Sequence, residues 1–98
     1  MAKRDEYCFL IEREAKRYIE AGRTREHVID AFEKYGLSRS EAILSYQTVY
    51  GVALEAAKNQ ILSTPSFRLH TSRELSELET QINLGRKRRA GINERRAR

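Results

Sequence analysis

A single cysteine, Cys8, stands among 98 residues, so no disulfide can form within the chain and no cysteine-rich zinc site is available. Tryptophan is absent and proline occurs once, at Pro65, which leaves long stretches free to be helical. No apolar run approaches the roughly 18–20 residues that cross a bilayer, so no membrane partner is expected. The start, Met1 to Glu6, meets charge at once and lacks an apolar segment, which predicts no secretory signal. The two histidines, His27 and His70, form no His-x-x-x-His pair and stand far from Cys8, so a metal site lacks ligands. The glycines are isolated at 22, 36, 51, 85 and 91, which excludes a Gly-rich phosphate loop. Carboxylates such as Glu12 and Glu14, or Glu77 and Glu79, lie among basic residues on helical faces read as solvated. The expectation is therefore a protein that is not an enzyme, with no catalytic residue, metal, cofactor or small-molecule substrate. A cytoplasmic compartment is expected, or a nucleus in a eukaryotic source.

What the chain does have is an uneven charge. Its 11.4 kDa suit one small domain. Hydrophobic residues at 40% and charged residues at 34% suit a helical fold with a large solvated face. The net charge is +5, yet residues 85–98 (GRKRRAGINERRAR) hold seven bases against one acid, while residues 1–84 are close to neutral. A near-neutral body with a dense basic end is the asymmetry expected of a protein that grips an anionic polymer. A merely solubilising tail is the plainer alternative.

Helical spacing organises the rest. Residues 5–21 read as a first helix, with Tyr7, Leu10, Ile11, Glu14, Ala15, Tyr18 and Ile19 as a mostly apolar stripe and Gly22 as its stop. A short strand over residues 7–11 is the alternative. Thr24 caps a second helix, with Val28, Ile29, Ala31, Phe32 and Tyr35 on its apolar face and Gly36 at its end. Ser38 and Glu41 stand three apart, as in a capping box, and open a third helix over about 41–62. Between Glu41 and Glu55 that segment carries no charge and is apolar nearly all round. Such a helix is central to a core or shared with a partner. This predicts a homodimer, with Ile43, Tyr46, Tyr50, Ala53, Ala57 and Ile61 as the candidate seam. Pro65 breaks the chain, and Phe67 and Leu69 are expected to tuck the connector onto the body. Thr71 with Glu74 forms a second box, opening a fourth helix over about 72–84 that Gly85 stops. The expected fold is all-α: a small bundle of about four helices over residues 1–84, followed by an arginine-rich tail over 85–98 that Gly91 interrupts and onto which no single helix is read, folding on a partner being one option.

Two helices joined through Gly36-Leu37-Ser38 make a helix-turn-helix pattern. The stretch Tyr35-Gly36-Leu37-Ser38-Arg39-Ser40-Glu41-Ala42-Ile43 resembles the turn and second-helix start of helix-turn-helix DNA-binding proteins, and the same place in ribbon-helix-helix regulators. That resemblance implies DNA docking, with Arg39, Ser40, Gln47 and Thr48 on the contact face. The tail adds Arg86, Lys87, Arg88, Arg89, Arg95, Arg96 and Arg98 as phosphate contacts. Arginine outnumbers lysine there six to one, and its fork suits phosphate. The leading expectation is a small nucleic-acid-binding protein, with DNA ranked ahead of RNA: a transcriptional regulator, or an accessory protein of a plasmid or phage. A protein-interaction module built on the apolar third helix, and RNA binding by the arginine-rich tail, remain as alternatives.

Overall fold

The computed structural model describes residues 3–96, with side chains through residue 90. Its described residues are all-helical, in five α-helices: α1 (Lys3–Glu20), α2 (Arg25–Lys34), α3 (Arg39–Tyr50), α4 (Leu54–Leu62) and α5 (Ser72–Arg96). A single 3-10 turn, Pro65–Phe67, lies between α4 and α5. No strand occurs among the described residues, and α1 runs through the segment where one had been an alternative.

The local signals for helix starts act as expected. The Thr24 hydroxyl accepts from the His27 amide at 3.2 Å. At α3, Ser38 Oγ accepts from the Glu41 amide at 3.3 Å, and Glu41 Oε1 accepts from the Ser38 amide at 2.8 Å. At α5, Thr71 Oγ1 accepts from the Glu74 amide, whereas the Glu74 carboxylate reaches one residue further back, to the His70 amide at 3.1 Å. Gly36 closes α2 at φ +79°, so that the Leu37 amide can reach back to the Phe32 carbonyl at 3.0 Å.

Helix α3 is the centre of the molecule and packs against α1, α2, α4 and α5. Its Ala42, Ile43, Leu44 and Tyr46 meet Cys8, Ile11 and Ala15 of α1, with Val28, Ile29 and Phe32 of α2, in one core. Phe67 is buried in that core, as the tuck of the connector requires, and Leu69 packs against it.

Three expectations about the helices need correction. The third helix does not run to residue 62. Gly51 caps α3 in the left-handed region at φ +62°, its amide bonding the Gln47 carbonyl, and the chain restarts as α4 at Leu54. One straight helix apolar on every side would leave much of that surface in water. Breaking it at Gly51 turns α4 back, so that Ala57 and Ile61 bury in the core with α3. The fourth helix, in turn, does not stop at Gly85. Helix α5 continues to Arg96, across the expected boundary at residue 84. Gly85 faces inward, where a Cβ would stand 2.6 Å from Leu44 Cδ1. Its absent side chain lets two helices approach closely; it caps nothing. Finally, the buried face of α1 holds Tyr7, Ile11, Ala15, Tyr18 and Ile19 of the expected stripe but differs from it at four positions. Leu10 is 59% exposed, while Asp5, Cys8 and Glu12 are buried beside Ile11 and Ala15.

Candidate nucleic-acid interface

The residues expected to contact DNA divide into two groups at opposite ends of α3. Arg39 turns onto the connector: its guanidinium donates to the carbonyls of Phe67 at 3.0 Å and Arg68 at 2.8 Å, and pairs with Glu74 at 3.3 Å. Ser40 is only 8% exposed and shares a hydrogen bond with Ser38. The groove beside them is lined by Glu74 and Glu77 as well, which makes it a poor place for a phosphate. Gln47 and Thr48 lie about 12 Å further along the helix axis. The joint reading face expected of Arg39, Ser40, Gln47 and Thr48 is therefore not assembled.

The proposed seam is also relocated. Ile43, Tyr46, Ala57 and Ile61 are buried within the single chain. Tyr50 is half-buried, its ring 4.4 Å from that of Tyr46 and beneath the Arg25 guanidinium at 5.5 Å, while Ala53 is exposed. Four of the six residues thus belong to the core of one chain.

The basic segment splits in the same way. Arg88 pairs with the buried Asp5 at 3.0 Å. Arg89 is enclosed: its Nη2 donates to Glu12 Oε2 at 2.7 Å, its Nη1 to Thr48 Oγ1 at 3.1 Å, and its guanidinium lies 5.2 Å from the Phe9 ring centre. Ser45 completes the network by donating to the same Glu12 oxygen at 2.7 Å. Side-chain exposures of 14% for Arg89 and 6% for Glu12 make this a largely desolvated pair, whose bonds hold α5 to α1 and α3. Both arginines are structural, a role that composition had not indicated.

Arg86 and Lys87 point the other way. Both are exposed, and neither has an ion-pair partner among the described residues. They line an open groove of about 670 Å³ between the C-terminal end of α3 and α5, together with Leu44, Gln47, Thr48, Asn83, Arg89 and Ala90. Gln47 and Thr48 thus do meet part of the basic segment. Asn83 and Ala90 had not been singled out. The signal was available in the inward spacing of Leu78, Ile82, Gly85 and Arg89, which carries the helical period past Gly85 and sets Asn83 and Ala90 on the other side. The α5 backbone reaches Arg95 and Arg96, but their side chains, and Arg98 altogether, lie outside the described residues.

Burial pushes the Cys8 thiol up to about 12, so it stays a packed thiol rather than a reactive thiolate. Among the described residues no three His, Cys, Asp or Glu side chains gather as metal ligands, and no helix is long and apolar enough to cross a membrane. No family model, curated protein or solved structure matches this chain, so function has to be argued from the side chains of the site.

Proposed function

We propose that the chain is a small nucleic-acid-binding protein that holds duplex DNA along the basic half of α5. The observation that carries this reading is the pair Arg86 and Lys87, without carboxylate partners among the described residues, at the rim of a groove that also presents Gln47 and Thr48. Nearby acids were available to neutralise this segment, and they take Arg88 and Arg89 instead. Arg95, Arg96 and Arg98 extend the cationic run by sequence. Regulation of transcription, or an accessory role on a plasmid or phage, is the setting such a small DNA-binding chain suits. A homodimer would have to use another face, because the apolar residues of α3 and α4 are spent on the core of one chain.

The test is binding of the full chain to duplex DNA across a salt series. Five cations remain for phosphate once Arg88 and Arg89 are set aside, so the log–log slope should be roughly −4 to −5 instead of the roughly −6 of all seven. Replacing Arg86 and Lys87 together by glutamine should flatten that slope by about 2. A slope near zero, or one that ignores both substitutions, would overturn the reading. A cut at residue 84 is not a clean experiment, since it strips the buried Asp5 and Glu12 carboxylates of their arginine partners.

A further inference from the structure

We infer that α5 is a base-reading helix, which enters the major groove of duplex DNA with Asn83, Arg86, Lys87 and Ala90. This rests on the DNA-binding reading above and adds sequence recognition to it. These four residues fall at i, i+3, i+4 and i+7, and all are exposed on α5. Their chemistry is complementary to base edges. An asparagine amide pairs with the N6 and N7 of adenine, an arginine or lysine with the O6 and N7 of guanine, and an alanine methyl packs on the thymine methyl. Asparagine can serve phosphate, as glutamine can, so it is the adenine-specific pairing of its amide that separates base reading from a phosphate grip.

The mounting suits the task. On its inner side α5 is held by the close contact of Gly85 with Leu44 and by the Arg89–Glu12 pair, so the strip stands on a fixed helix instead of a loose tail. From Asn83 to Ala90 the strip is about 10 Å long, which spans about three base-pair steps. Its beginning is marked by a change of charge: the next groove toward the start of α5 is lined by Glu55 and by a Lys58–Glu79 pair at 3.7 Å, and offers phosphate no unpaired cation among the described residues. Gln47 and Thr48, across the groove, are placed to meet the flanking sugar-phosphate backbone. The helix dipole offers no competing account of Arg86 and Lys87, because it acts within the last turn and α5 continues for more than two turns past them, to Arg96.

The experiment is selection of bound sites from a randomised duplex library by the full chain, followed by affinities for the selected and a scrambled duplex at fixed salt. A consensus of about three base pairs containing guanine and adenine is expected. Asn83→Ala should weaken the selected duplex by roughly 5- to 150-fold and leave the scrambled one unchanged. Guanines carrying carbon in place of the N7 acceptor should weaken the selected site over a similar range. Lys34→Ala, on the exposed surface of α2, should change neither affinity. Circular dichroism checks that each variant keeps its helices. Selection without a consensus, or Asn83→Ala acting equally on both duplexes or on neither, would leave α5 as a phosphate grip and overturn base reading. Tighter binding to hairpin RNA than to any duplex would overturn it too, since the A-form major groove is too narrow for a helix. Absence of binding to any nucleic acid at low salt would sink the underlying functional reading itself.

Discussion

Arg86 and Lys87 are adjacent to Arg88 and Arg89, and the two pairs have opposite fates. Four consecutive cations look uniform as composition. On a helix each residue turns by about 100°, so within one turn the run serves both the inside and the outside of the fold. Arg88 and Arg89 meet Asp5 and Glu12 and become part of what holds α5 in place. Arg86 and Lys87 remain available at the groove. A basic run is therefore not a count of ligand contacts. Where it is helical and packed, part of it belongs to the protein.

The largest effect that would break this comparison is on stability. Arg89→Met leaves Glu12 buried with only Ser45 for company, and losing one partner of a buried pair costs about 3–5 kcal/mol. Arg86→Met, by contrast, should stay within about 0.5 kcal/mol of the parent protein, as exposed substitutions do. Urea unfolding of the two variants gives the answer directly. Adding Glu12→Met to Arg89→Met should recover much of the loss, because an apolar pair needs no solvation. Equal and small effects of Arg89→Met and Arg86→Met would erase the distinction between inner and outer cations.

Much of this fold was legible and much of the site was not, for different reasons. Helix starts are local: Thr24 and the Ser38–Glu41 box announce themselves within four residues and act as read. The burial of Asp5 and Glu12 on α1 is not legible from hydropathy, because both look like solvent-facing residues. Their burial depends on arginines 83 and 77 positions away, and no local pattern carries that pairing. The glycines misled in both directions. Gly51 takes a left-handed turn within a stretch whose apolar spacing predicts one helix; Gly85, where a stop is predicted, packs inside a continuous helix. The two uses look the same in composition and differ in whether the apolar spacing survives on the far side, as it does after Gly85. The functional residues divided for the same reason: which cations face outward follows only once α5 is known to continue.

Gly85 gives the next test, of the register that sorts the four cations. Gly85→Ala gains up to about 1 kcal/mol of helix propensity. The new methyl must also displace the buried Leu44 side chain, and overpacking typically costs about 1–3 kcal/mol. The expected outcome is a net loss of about 1 kcal/mol in urea unfolding, with Gly85→Val worse because the larger side chain meets the same wall. A stabilised Gly85→Ala protein would mean that Leu44 turns aside freely. The seating of α5, and with it the inward direction of Arg89, would then need no glycine.

The smallest expected effect comes from setting the buried Arg89–Glu12 pair beside a more exposed one. Arg4 grips Glu41 with two bonds, at 2.7 and 2.9 Å, and donates to the Gly36 carbonyl as well. Burial by itself would raise the Glu41 carboxyl, but the Arg4 guanidinium and the Ser38 amide outweigh it and hold the group below its ordinary value of 4.5. A carboxylate depressed in the folded state stabilises the fold above its unfolded value and loses that contribution as pH falls through the lower folded one. The window is therefore the acid side of 4.5, and stability at neutral pH carries the full contribution. Arg4 keeps half of its side chain in water, so solvent limits what the pair is worth to about 1 kcal/mol or less. Arg4→Met should lower stability at neutral pH by that small amount, and the deficit should shrink as the buffer is acidified through this window. A deficit that persists unchanged in acid would show that Arg4 acts through the Gly36 carbonyl and its packing on Tyr7 instead of through the charge on Glu41.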